Sequence, residues 1–225
     1  SPKRVLSEIR PLLDGADPVE SLRMLERQRL LQVFWPALKL TPKVLERLNR
    51  VHKVADHFEV TFPDEPFDKP SLFILALTER LTHEQLSAFR ATYPFPKPFK
   101  ELLDRVRSLT WRARQRLALH DKTAGAVYRS LLGEPILWVL YLQACLENPK
   151  EQALVRDFVV RHRFVRLAIT GADLKTAGLI PSPAFADALL ATRAAKVNGL
   201  VASREEEMAF VVKAVNAFTA RGEAR

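Results

Sequence analysis

His120-Asp121 is the one His-Asp doublet in this chain, and its donor atoms suit a divalent metal. A metal centre needs further ligands. His83 and Asp157 carry suitable atoms, but their spacing ties them to no common site. His52, His57 and His162 stand alone and read as packed or surface residues. Cys145 is the single cysteine, so an internal disulfide is excluded, and its apolar surroundings suit a small buried hydrophobe better than a reactive thiol. Two hydroxyl–carboxylate pairs at three-residue spacing, Thr170 with Asp173 and Ser203 with Glu206, could be taken for acid–base groups. That spacing is also the one by which a cap residue and the third helical residue satisfy each other's backbone N–H groups, and the pairs read mainly as helix starts. Amides at Gly171-Ala172 or Pro183-Ala184 could hold a phosphate, but Asp173 and Glu206 would occupy such positions themselves. The remaining chemistry is cationic. Arg105, Arg112, Arg116, Arg163, Arg166, Lys175 and Arg204 are the candidate phosphate contacts.

Those groups must be carried by helices. The 225 residues hold 7 glycines, strand-type alternation is rare, and periodic apolar spacing dominates, so the expected fold is all-α: a multi-helix body followed by a small helical tail. Lys and Arg number 35 against 26 Asp and Glu, a net charge of +9 that favours a polyanion such as nucleic acid as partner. The longest apolar run, Pro135 to Leu146, is shorter than the ~20 residues a membrane helix needs. No signal peptide is visible, so no membrane partner and a cytoplasmic location are expected. The chain starts at Ser1 without methionine, as a piece of a longer protein would.

Three segments are expected: 1–58, 59–168 and 169–225. In the first, Ser1-Pro2, Asp17-Pro18 and Thr41-Pro42 open three helices, and Gly15 closes the first. Residues 59–70 hold three prolines and no period, and read as a loop and boundary. Helices then resume at Ser71, after Thr82, at about Phe99, after Thr123, at Pro135 and at Pro149. In the third segment Thr170, Ser182-Pro183 and Ser203 start helices, and Gly178 and Gly199 end them.

At about 100° per residue, Leu102, Leu103, Val106, Leu109, Thr110, Ala113 and Leu117 share one face. Arg105, Arg112 and Arg116 line one flank, Arg107 and Arg114 the other. Trp111 projects roughly opposite the apolar face. It suits stacking on an unpaired base or ribose if the helix is continuous and uncovered. If Thr110 caps a new helix, or a second layer covers Trp111, it is a packing residue. Further on, Val155, Phe158, Val159 and His162 share a face. Asp157 can pair with Arg161 at four-residue spacing, which leaves Arg163, Arg166 and Lys175 as the better phosphate candidates.

Residues Ile169 to Met208 resemble the C-terminal part of bacterial tRNA nucleotidyltransferases and poly(A) polymerases, the CCA- or A-adding family. Thr170, Gly171, Asp173, Leu174, Gly178, Pro181, Pro183, Gly199, Ser203, Arg204, Glu205 and Glu206 match its pattern. Ser182 and Ala186 replace glycines that many relatives have, and Asn198 replaces the usual Asp. Pro18 to Pro36, with Val19, Leu22, Leu25, Leu30, Leu31 and Phe34, resembles the RNA-binding segment that follows the family's catalytic head and neck. The family's "G-G-x-x-R-D" loop and "D-x-D" pair are absent from this chain, as is the neck's "E-D-x-x-R". The resemblance therefore implies body and tail without the head. It implies a tRNA-binding (or other RNA-binding) portion that grips the acceptor–TΨC side and positions the 3′ end. It also implies a catalytic head of the same parent protein as partner, with magnesium and ATP or CTP bound only there and no cofactor or catalysis in this chain. Two alternatives remain: a helical protein–protein scaffold, and a phosphohydrolase of the histidine–aspartate type at His120-Asp121.

Overall fold

A computed structural model describes residues 1–119 and 123–223, without the side chains of 118, 119 and 220–223. Every regular element among them is helical: α1 (Pro2–Asp14), α2 (Pro18–Arg27), α3 (Leu31–Phe34), α4 (Pro42–Thr61), α5 (Lys69–Leu77), α6 (His83–Thr92), α7 (Lys97–Leu119), α8 (Ala124–Leu131), α9 (Ile136–Cys145), α10 (Pro149–Val160), α11 (Gly171–Thr176), α12 (Ala184–Val197) and α13 (Arg204–Glu223), with a 3-10 turn at His162–Phe164. The all-α expectation holds.

Most helices begin where the sequence marks them. Asp17 accepts from the Glu20 N–H (2.9 Å), Thr41 from Val44 (3.4 Å) and Thr123 from Ala126 (3.3 Å). Thr82 and Gln85 satisfy each other's backbone N–H groups. Two starts differ from the sequence reading. α5 opens before Ser71, because Asp68 caps it and Pro70 fits its first turn. The Asp68 carboxylate accepts from the Ser71 N–H (3.1 Å) and from Arg10 of α1 (2.8 Å). At α12, Pro183 is already helical in its own dihedrals and takes the cap position. Ser182 contributes only its carbonyl, which accepts from the Phe185 N–H (3.0 Å), while its hydroxyl is buried with no hydrogen-bond partner.

The chain forms two compact units. The first comprises 1–116 and 134–152, the second 117–133 and 153–225. In the first unit α4, α5 and α9 pack on one another, and α1 packs on α2 and α5. Every residue of α5 is buried, as are seven residues of α9, Trp138 to Leu142 with Ala144 and Cys145. A helix apolar all round must be surrounded to be stable in water, since each fully buried Leu or Phe contributes roughly 1.5–3 kcal/mol. The Pro135–Leu146 run is thus a core helix. Among the described residues no helix is long and apolar enough to cross a membrane. The expected loop at 59–70 is in part helix, since α4 reaches Thr61. The rest of it lies within the first unit, where Phe62 and Phe67 stack on Phe58 at 5.2 and 5.0 Å.

In the second unit α12 packs against both α8 and α13. Ile169, Leu174, Phe185, Ala188, Val211 and Val215 form its core, with Leu179, Met208 and Phe218 at the edge. α8 and α12 approach so closely that a Cβ on Gly125 would lie 2.5 Å from the Ala194 carbonyl oxygen. Gly178 and Gly199, at φ +82° and +73°, end α11 and α12 as the sequence marked. At each, the following amide reaches back five residues, Leu179 to Leu174 (3.1 Å) and Leu200 to Ala195 (2.9 Å).

Candidate nucleic-acid interface

In the second unit, the site is built on a latch of carboxylates. Both the Thr170 N–H and hydroxyl donate to Asp173 Oδ2, at 2.7 and 2.8 Å. Asp173 Oδ1 accepts from Arg204 Nη2 at 2.7 Å, which ties the start of α11 to the start of α13. The Thr170 donors, and then Arg204, hold the Asp173 carboxyl below its ordinary range. Glu206 accepts from the N–H groups of Ala202 (2.7 Å) and Ser203 (3.1 Å), and those bonds depress its pKa. Ser203 Oγ accepts from the Glu206 N–H (3.2 Å), completing the box. These groups are occupied as caps, in line with their spacing.

Sequence reasoning missed the innermost member. Glu207 is fully buried. Its Oε2 accepts from the Ala168 N–H (2.7 Å) and its Oε1 from Lys196 Nζ (2.5 Å). One carboxylate thereby fixes the strand of chain entering α11 and the last turn of α12. The signal was present, because Glu207 lies four and eight residues before Val211 and Val215 and so falls on the apolar face of α13. Asn198 accepts from the Gly125 N–H through Oδ1 (2.7 Å) and joins α12 to the start of α8.

The predicted cations of this unit differ in their engagement. Arg204 is held by Asp173, although its side chain keeps 59% of its exposure. Arg163 turns back onto α10, with Nε donating to the Val159 carbonyl (2.6 Å) and the guanidinium 4.4 Å from the Phe164 ring centroid. Arg166 and Lys175 are exposed and enter no ion pair among the described residues. Each sits two residues from a latched position, Ala168 and Asp173. Arg161 pairs with Asp157 at 3.1 Å, as its spacing predicts. His162 is half-buried, and that burial lowers its pKa.

In the first unit the candidates lie on α7. This helix is continuous, so Thr110 does not reset its phase. Thr110 is buried instead, and its hydroxyl accepts from Trp138 Nε1 (3.2 Å). Leu102, Leu103, Val106 and Ala113 are buried beside it. Arg105, Arg112 and Arg116 are exposed on one flank and form no ion pair among the described residues. The opposite flank is engaged. Arg107 donates to the Thr78 carbonyl (3.1 Å) and to that of Leu81, and Arg114 lies 3.8 Å from Glu147. Trp111 is 64% exposed.

His120-Asp121 lies outside the described residues. Among those described, no three His, Cys, Asp or Glu side chains are grouped to hold a metal ion.

No family model matches the chain. Over 216 residues it is 27% identical to the A-adding tRNA nucleotidyltransferase of Geobacter sulfurreducens, covering 94% of this chain and 24% of that protein. The resemblance to the tRNA nucleotidyltransferase family extends over nearly the whole chain. The fold agrees with it. The CCA-adding enzyme of Thermotoga maritima, solved in complex with tRNA, matches with a TM-score of 0.76 at 16% identity, over 93% of this chain and 50% of that one. A CCA-adding enzyme in an apo form matches with 0.76 at 17% identity, over 95% and 50%. An ATP complex of a CCA-adding enzyme matches with 0.73 at 18% identity, over 94% and 49%. The chain thus spans about half of these solved chains and about a quarter of the curated relative. It is similar to a tRNA nucleotidyltransferase over nearly its whole length, and in fold to about half of the CCA-adding enzymes.

Proposed function

We propose that this chain is the RNA-gripping portion of a tRNA nucleotidyltransferase. It holds tRNA by backbone and shape so that the 3′ end reaches a catalytic head carried elsewhere in the parent protein. The observation that carries the reading is the set of exposed cations that enter no ion pair among the described residues, Arg105, Arg112 and Arg116 on α7 of one unit and Arg166 and Lys175 beside the latch of the other. Duplex RNA hides its base edges in a groove that side chains cannot read, so recognition of a tRNA stem falls to phosphates and 2′-hydroxyls. Exposed cations on and beside helices suit that task. The solved relative bound to tRNA adds support by similarity. Catalysis in such an arrangement would arise from positioning, with magnesium and ATP or CTP held by the head. By its role in tRNA maturation the protein would work in the cytoplasm.

The test is a titration of labelled tRNA at several salt concentrations. Log K should fall linearly with log salt, more steeply the more phosphates are neutralised. The purified chain with ATP, CTP and magnesium should add no nucleotide. Salt-insensitive or absent tRNA binding would instead favour a protein–protein scaffold. Nucleotide incorporation would overturn the assignment of catalysis to a separate head.

A further inference from the structure

We propose that Trp111 is a stacking platform for an unpaired nucleobase, so that α7 receives a single-stranded segment of RNA. The proposal rests on the RNA-binding reading and adds a base contact to its phosphate contacts. Trp111, 64% exposed on a continuous helix, presents a large flat π-face to water. Its helical neighbours one turn away are Arg107, Ser108, Arg114 and Gln115, none of them apolar. The core of a protein–protein interface is a contiguous apolar patch, and those four helical neighbours supply none. From Arg105 to Arg116 there are five arginines and no acid. Arg107 and Arg114 are held by the Thr78 carbonyl and Glu147, which stiffens the Trp111 flank, while Arg112 donates Nε to the Ser108 carbonyl (3.2 Å) and keeps its outer nitrogens available. A flat π-face with cations beside it matches a base joined to its phosphates. A duplex would offer no free base face.

Tryptophan fluorescence tests this directly. Trp138 is buried and Trp35 is half-buried against Phe89 (5.4 Å), so solvent-facing emission comes from Trp111. The full chain is titrated with a single-stranded oligouridylate, with a duplex RNA of equal length and with poly-glutamate. The single strand should quench the emission, and Trp111→Phe should abolish the quenching while keeping most of the affinity. Trp111→Ala should weaken single-strand binding roughly tenfold and duplex binding much less. Unchanged single-strand affinity in Trp111→Ala overturns the proposal. So does an equal loss for single strand and duplex, or a loss confined to poly-glutamate, which would mark an acidic protein as the partner. Failure of the unaltered chain to bind any RNA is a separate outcome, and it sinks the RNA-binding reading as well.

Discussion

Glu207 is the residue with the most at stake in the second unit. It is fully buried, and both of its oxygens are used, one by the Ala168 amide and one by Lys196. Removing a buried acceptor strands its donors, and each stranded group carries a desolvation cost of about 1–3 kcal/mol. Glu207→Ala should therefore destabilise the chain by about 2–4 kcal/mol, read as a lowered urea midpoint. The neighbouring Glu205→Ala, at an exposed position, should shift it far less. Equal effects of the two changes would remove Glu207 from this role. The seven cations also separate at this scale. Their charge is the same in sequence, yet Asp173 holds Arg204 and the Val159 carbonyl holds Arg163, whereas Arg166 and Lys175 face water.

Between elements, the contact of α8 with α12 is the tightest constraint. Any side chain at Gly125 would press against backbone, with the Ala194 oxygen 2.5 Å away, and backbone cannot swing aside as a flexible side chain can. Gly125→Ala should cost about 1–3 kcal/mol through overpacking, measured by chemical denaturation. Asn198→Asp should be near neutral, since the carboxylate keeps the acceptor that the Gly125 N–H uses. Asn198→Ala should cost about 1 kcal/mol as a lost cap. A Gly125→Ala protein as stable as the original would show that α8 and α12 are not packed this closely. α7 illustrates the same scale for the interface, because one unbroken helix sends Thr110 and Trp111 to different faces, of which the packed elements cover only the first.

For the whole molecule the governing quantity is charge. A net charge of +9 makes the folded chain repel itself and attract polyanions. A ligand that binds only the folded state raises its stability, by about 2.7 kcal/mol at a concentration one hundred times Kd. Saturating tRNA should raise the melting temperature at low salt, and the gain should disappear as added salt weakens the phosphate contacts. A gain that survives high salt would mean the contacts are not mainly to phosphate.

What the sequence determined by itself was local. Fold class, most helix starts and the glycines at 178 and 199 follow from spacing, caps and backbone freedom, all of which act within a few residues. The family pattern was legible for the same reason, since many of its residues are caps and turns. Thr170, Asp173, Ser203 and Glu206 have local partners fixed by three-residue spacing, so their places could be read from the chain. The tertiary structure decided what depends on groups far apart in sequence. Lys196 neutralises Glu207, Asn198 meets Gly125, and Asp173 pairs with Arg204 because folding sets them within hydrogen-bond distance. It also decided that Trp111 stands uncovered, since exposure depends on which elements pack around a helix and not on the helix's own period.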